Sequence, residues 1–313
     1  MKRKRHRRVL ESFNDLQLGK TVIIYHRTDW DGYTSGAVAL KAIPNADLLG
    51  YSYNDPLPVV NNYDTIVLVD LTIPDRNWML ENADKLIWID HHADAISRVN
   101  NDSIEGIRED GIGACLLAWQ YFFPDQEIPL HVALIATYDI FRKDGKYVSW
   151  EDAYYYQLVM GQYSKDAFKG PDRSPEFVEM SLKFIDEPMT ETIERVSYGE
   201  ELEIDRAKNE EELFKTAEYV EHDGITICKL IADGQPALLI KNHSDAHTAD
   251  LFALRSTRLT RNKPGKYKIS LRVPANSNID ASKIARQFDG NGHVKAAGCY
   301  MTQEEFDNIQ NYI

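Results

Sequence analysis

Four short apolar runs organise the first part of the chain: Thr21 to Tyr25, Leu48 to Tyr53, Thr65 to Val69 and Leu86 to Ile89. The first and third are almost free of polar residues and rich in β-branched ones, as expected of parallel strands buried on both faces. Three of the runs break off abruptly, at His26, at Asp70 and at Asp90-His91-His92. A parallel α/β sheet opens its ligand crevice at the C-terminal ends of its strands. The pattern therefore predicts the strands and also the edge at which acids and imidazoles collect.

The stretch Tyr25-His26-Arg27-Thr28-Asp29-Trp30-Asp31-Gly32 lies between the first run and a segment of small residues, Gly36-Ala37-Val38-Ala39, that reads as a helix. Two readings fit it. An imidazole and two carboxylates crowded into six residues repel as anions and lose water together unless a divalent cation gathers them. Alternatively, Asp29 or Asp31 caps the helix and His26 is a core histidine.

Further along, Ile112 to Phe123, Leu130 to Phe141 and Trp150 to Met160 read as helices, the second ending near Asp139. Tyr154, Tyr155 and Tyr156 could stack bases, although a half-buried helix face is the expected role. Residues 165–173 read as a surface loop. From Pro188 to about Val220 charge dominates, with a single interior glycine, Gly199, and a long exposed helix linking two lobes is expected. Strand candidates then return at Ile225 to Leu230, Ala237 to Ile240, Leu251 to Leu254 and Lys266 to Val273. A helix follows with Ala281, Ile284, Ala285 and Phe288 on one face.

The fold class is thus α/β: an N-terminal parallel-sheet domain with helices on both faces, a helical linker and a smaller C-terminal α/β domain. The expected divisions are a basic tail and lead-in at 1–20, a catalytic domain at 21–187, the linker at 188–220 and a second domain at 221–313.

Composition narrows the chemistry. The chain has 313 residues, 43% of them apolar and 27% charged, as in ordinary globular domains. No apolar run reaches the roughly 20 residues that span a bilayer. The basic start leads into Val9-Leu10-Glu11-Ser12 rather than an apolar signal core, so a cytoplasmic location and no membrane partner are expected. The net charge of −13 argues against stable binding of duplex nucleic acid. Six Lys and Arg residues among the first eight are the exception, read as a solvated tail. Cys115, Cys228 and Cys299 lie far apart, which suggests neither a disulfide framework nor a thiolate metal site.

Collected together, the strand-end residues are His26, Asp29, Asp31, Asp70, Asp90, His91 and His92, joined by Asp139. Carboxylates mixed with imidazoles suit manganese, cobalt, iron or zinc better than calcium, and two such ions side by side need a bridging carboxylate.

The motifs His26-x-x-Asp29-x-Asp31-Gly32, Asp70 after Val67-Leu68-Val69, Asp90-His91-His92 and Asp139 within Ala136-Thr137-Tyr138-Asp139-Ile140 resemble the DHH phosphoesterase superfamily. Ser270-Leu271-Arg272 and Gly290-Asn291-Gly292-His293-Val294-Lys295-Ala296-Ala297-Gly298 are similar to its DHH-associated domain. The H-x-x-D-x-D-G form resembles the oligoribonuclease and cyclic-nucleotide phosphodiesterase branch. The resemblance implies two divalent ions, manganese foremost. His26, Asp29 and Asp70 would hold one; Asp31, the bridging Asp70, His91 and Asp139 the other. His92 would face the scissile phosphate, and Asp90 would orient a ligand histidine from behind. Arg272 and His293 would clasp a terminal phosphate, with Gly290, Asn291 and Gly292 letting backbone N–H groups approach it. Asn291 stands where many relatives have glycine, and asparagine is the side chain that best tolerates a left-handed backbone.

The activity so implied is hydrolysis of short single-stranded oligonucleotides or small, including cyclic, nucleotides by a metal-bridged water. Two alternatives remain: a phosphatase or pyrophosphatase on a small substrate, and a nucleotide-binding module without catalysis.

Overall fold

A computed structural model describes residues 19–53, 55–99, 103–165, 172–233 and 239–313. The basic tail, most of the loop expected at 165–173 and the first half of the strand expected at Ala237 to Ile240 lie outside these residues. The chain divides into two compact units, Met1–Leu202 and Glu203–Ile313.

In the first unit, β1 (Thr21–His26), β2 (Asp47–Tyr51), β3 (Thr65–Val69) and β4 (Leu86–Ile89) form a parallel sheet in the order β2-β1-β3-β4. Alternation along the strands feeds two cores. Ile23, Tyr25, Val67, Val69, Ile87 and Ile89 face one side. They pack under α1 (Trp30–Ala42), α4 (Ala114–Phe122), α5 (Leu130–Asp139), α6 (Trp150–Tyr163) and α7 (Ser174–Asp186). Val22, Ile24, Ile66, Leu68 and Trp88 face the other side, toward Trp78 and Met79 of α2 (Arg76–Glu81) and Val99 of α3 (Ala93–Val99). Burial on both faces is why these strands read as apolar runs rather than alternating ones. The chain leaves β1 for β2 on one side and later adds β3 on the other, so the sheet's switch point falls between β1 and β3. That is where an open α/β sheet makes its crevice.

The tyrosine run of α6 is packing: Tyr154 and Tyr156 are buried, and Tyr156 bonds inward to His131. The charged helix, α8 (Met189–Phe214), is largely exposed and stops short of the expected Val220. Its Gly199 is a packing residue, because a Cβ there would sit 2.0 Å from the carbonyl oxygen of Tyr155.

In the second unit a six-stranded mixed sheet has the order β5-β6-β7-β8-β10-β9. Its strands are β5 (Glu218–His222), β6 (Ile225–Ile231), β7 (Leu251–Leu259), β8 (Tyr267–Arg272), β9 (Asn291–His293) and β10 (Ala296–Met301). β5 begins inside the segment expected to be linker helix, and Leu239 and Ile240 lead into a short helix, α9 (Lys241–Asp245), rather than a strand. One sheet face, with Ile227, Leu251, Ala253, Ile269 and Leu271, packs on Ile284 and Ala285 of α10 (Ala281–Arg286) and Phe306 of α11 (Gln303–Asp307). Asp280 caps α10 through the N–H groups of Ser282 and Lys283, and a Thr302–Glu305 capping box starts α11. The cysteines are buried and unpaired. No helix among the described residues is long and apolar enough to cross a membrane.

Candidate metal centre

At the switch point the strand ends converge. Tyr25 pairs with Val69, so His26 and Asp70 emerge side by side from β1 and β3. Asp70 takes a left-handed φ of 59°, rare for a non-glycine residue and costing about 1–3 kcal/mol when held in place. Its amide still donates to Ile89 O at 3.0 Å, which anchors it to β4. The carboxylate is buried and reaches two imidazoles: Oδ2 lies 3.5 Å from His26 Nδ1 and Oδ1 lies 3.3 Å from His91 Nε2.

Around this shared acid stand two groups. In the first, His26 Nδ1 is also 3.1 Å from Asp29 Oδ2. In the second, His91 Nε2 is 3.7 Å from Asp31 Oδ2 and 3.5 Å from Asp139 Oδ2. His26–Asp29–Asp70 and Asp31–His91–Asp139 each offer ligand atoms within 4.8 Å of one another, as does Asp70–His91–His92.

The cap expected in the second reading of the opening stretch is present, although His26 is only partly buried rather than a core histidine. Asp29 Oδ1 caps α1 by accepting from Gly32 N at 2.9 Å, while its Oδ2 faces His26. Asp31 accepts from Ala114 N at 2.7 Å and Cys115 N at 2.8 Å, so the N-terminus of α4 fixes the buried carboxylate. Gly32 belongs to the motif for a steric reason: a Cβ there would lie 2.0 Å from His26 O.

Asp90 is fully buried and its oxygens are occupied. Oδ2 accepts from Thr72 Oγ1 at 2.5 Å; Oδ1 accepts from the amides of His91 and His92 and lies 2.7 Å from His92 Nδ1. The histidine ring it orients is therefore His92, whose side chain is 40% exposed at the edge of the centre.

The electrostatics favour a bound cation. Burial and the neighbouring Asp70 push Asp31 up to about 6; burial and Asp31 push Asp139 up to about 7; burial also raises Asp70. Burial works to lower both imidazoles, yet Asp29 and Asp70 lift His26 to about 10, and Asp70, Asp31 and Asp139 do the same for His91. Acids driven toward neutrality beside imidazoles driven toward charge mark a site with an excess of negative groups. Asp70 Oδ1 is buried and accepts no hydrogen bond among the described residues, its approach to His91 being out of line. An orphan carboxylate oxygen facing an oxygen and nitrogen ligand set without thiolates fits a divalent metal.

In the second unit, Arg272 and His293 both pair with Ala296. Directly paired residues of antiparallel neighbours share a face, so the two basic side chains flank a small alanine, two strand spacings or roughly 10 Å apart. Burial lowers the Arg272 guanidinium from its usual value. The glycine-rich stretch runs into β9, the edge strand of a hairpin with β10. A Cβ on Gly292, at φ 143°, would lie 2.5 Å from Ala297 Cα, and one on Gly290 would lie 2.2 Å from Gly298 O. The glycines therefore let β9 approach β10, and Asp289, not Asn291, adopts the left-handed conformation.

Two residues near the centre had no strand-end acid or imidazole to announce them. Thr28 Oγ1 lies 2.7 Å from His26 Nε2. The Tyr53 ring centroid lies 5.6 Å from that of His26, and its phenol is raised above the usual value by burial and by Asp90, Asp70 and Asp29.

Residues 257–313 match the DHHA1 domain family. No curated protein matches the chain in sequence. Among solved structures, PggH, a pGpG-specific phosphodiesterase from Vibrio cholerae, is similar with a TM-score of 0.58 at 13% identity, covering 94% of this chain and 96% of that one. CDC45 from Entamoeba histolytica is similar with a TM-score of 0.52 at 8% identity, over 94% of each chain. At these identities the likeness concerns the fold. The segment 257–313 is thus a DHHA1 domain, and it follows strand ends that carry His26, Asp29, Asp31, Asp70 and Asp90-His91-His92, the motifs whose pattern resembles the DHH phosphoesterases.

Proposed function

We propose that the chain is a two-metal phosphodiesterase acting on short oligonucleotides or small nucleotides. The observation that carries this reading is the single buried Asp70 standing between two ligand groups. His26, Asp29 and Asp70 would hold one divalent ion, and Asp31, Asp70, His91 and Asp139 the other, manganese being the first candidate. Such a pair supplies Lewis acidity to a phosphate and lowers the pKa of water at neutral pH.

The chain's own residues do the rest. Asp90 faces Nδ1 of His92 and raises that imidazole above its usual range, so a proton on Nε2 is available to a phosphate oxygen or a leaving oxygen. Asp31 is held by two backbone amides, so its oxygens need no reorganisation when substrate arrives. Arg272 and His293 offer charge-assisted hydrogen bonds to a terminal phosphate, with Ala296 leaving room between them.

The test is a substrate panel with manganese: a linear dinucleotide, a cyclic dinucleotide, a 3′-phosphorylated nucleotide and pyrophosphate. The fold shared with a pGpG-specific phosphodiesterase puts the linear dinucleotide first. Metal-dependent turnover of a diester, lost with chelator and restored by manganese, is expected. Turnover of pyrophosphate alone would favour the pyrophosphatase reading, and binding without turnover would favour a nucleotide-binding module.

A further inference from the structure

Tyr53 follows β2 in a turn that is built rather than loose. Asp55 organises it: Oδ2 accepts from Ser52 N at 2.7 Å, and the Tyr51 hydroxyl donates to the Asp55 carbonyl at 3.3 Å. Arg27 grips the same carboxylate with both arms, Nε to Oδ2 at 3.1 Å and Nη2 to Oδ1 at 2.8 Å. A bidentate guanidinium–carboxylate pair fixes orientation as well as distance. Arg27 is the residue after His26; its amide donates to Tyr51 O at 3.1 Å, and its carbonyl accepts from the Tyr33 hydroxyl at 3.0 Å. The turn is thereby tied to the strand end that presents His26.

The product of these ties is an aromatic ring beside a metal-ligand histidine. The Tyr53 ring lies 5.6 Å from His26, inclined at 55°, yet the residue remains 42% exposed. Its hydroxyl has no hydrogen-bond partner among the described residues, although it lies within the field of Asp90, Asp70 and Asp29, which stand at three successive strand ends. Tyr53 is thus accessible from solvent while its ring lies against a candidate metal ligand.

The geometry points to Tyr53 as a substrate-contacting residue whose hydroxyl donates a hydrogen bond to a non-bridging oxygen of the phosphate held on the His26 side of the centre. This rests on the phosphoesterase reading above. The Arg27–Asp55 pair holds residues on either side of the ring, which limits the reorganisation needed to bring the donor to a phosphate oxygen. Nothing in the sequence pattern announces the arrangement, since the pairing that creates it spans residues 27 and 55.

The test compares wild type, Tyr53→Phe and Tyr53→Ala, each loaded with manganese, for metal content, for binding of inorganic phosphate by calorimetry, and for kcat and KM on a linear dinucleotide. Tyr53→Phe keeps its metal, binds phosphate about ten- to a hundred-fold more weakly, the range of a lost hydrogen bond to a charged group, and loses kcat in proportion. Phosphate binding by Tyr53→Phe equal to wild type would overturn the inference; if Tyr53→Ala alone is impaired, the ring and not the hydroxyl is what matters. Loss of metal from Tyr53→Phe would also overturn it, by making Tyr53 a support for His26. If wild type binds phosphate with metal but cleaves no diester, the phosphodiesterase reading falls while the phosphate arm still decides the role of Tyr53. A wild type that cleaves the dinucleotide but binds no phosphate with metal overturns the inference about Tyr53 and leaves the phosphodiesterase reading standing.

Discussion

Acid should attack the first unit through a histidine that takes no part in the proposed chemistry. His131 is buried on α5, with Nδ1 2.7 Å from the Tyr156 hydroxyl and Nε2 3.2 Å from Thr34 Oγ1, which in turn lies 3.3 Å from Ser181 Oγ. Burial, assisted by the charge of Arg195, lowers its pKa from 6.5 to about 3. The folded pKa lies below the unfolded one, so the stability contribution is complete above the ordinary histidine pKa and is lost as pH falls toward the folded value. At about 1.4 kcal/mol per unit, the full loss approaches about 5 kcal/mol, a large share of a typical domain's stability. The network joins α1, three residues beyond Asp31, to α5, eight residues before Asp139, so its failure would also separate two candidate metal ligands. The perturbation is His131→Asn, which cannot titrate. The assay is urea unfolding followed by tryptophan fluorescence, with chelator present so that metal binding does not contribute. All five tryptophans lie in the first unit, so the signal reports that unit. Near neutral pH the variant should be less stable by about 1–3 kcal/mol, the usual cost of leaving buried partners unpaired. Below the ordinary histidine pKa the gap should close by about 1.4 kcal/mol per pH unit. A gap that stays constant down to about pH 4.5, well below that ordinary value, would refute a neutral buried His131.

His91→Ala and His92→Ala separate ligand from substrate contact: the first should lose one metal per chain, the second should keep both and lose turnover. Equal metal contents in the two variants would reverse that assignment. Gly292→Ala should strain the backbone by about 1–3 kcal/mol and push β9 off β10, displacing His293 from its row with Arg272. The expected result is a raised KM for a linear dinucleotide with metal content unchanged; an unaltered KM would remove His293 from the binding surface.

The sheet of the first unit was readable because its strands are buried on both faces and end abruptly in ligands, as Val67-Leu68-Val69-Asp70 illustrates. β5 was not, because Glu218–His222 is an edge strand of mostly exposed residues inside a charge-rich stretch, which carries no alternation. β9 was not, because three exposed residues centred on a glycine carry no apolar pattern and are placed by close approach to β10. In the site, the acids and imidazoles were legible one by one, whereas their pairing was not. That Asp90 would hold the ring of His92, that Asp31 would sit on the N-terminus of α4, and that Arg27 would bind Asp55 all depend on folded geometry. Local pattern does not encode such contacts; tertiary packing decides them.

The account depends most on Asp70 serving two ions at once, and the direct measurement is the manganese content of purified Asp70→Asn beside wild type, with turnover of a linear dinucleotide on the same samples. Two metals per chain in wild type, a reduced content in the variant and no detectable turnover are predicted. Full metal occupancy with near-normal turnover in Asp70→Asn would contradict the shared-ligand centre.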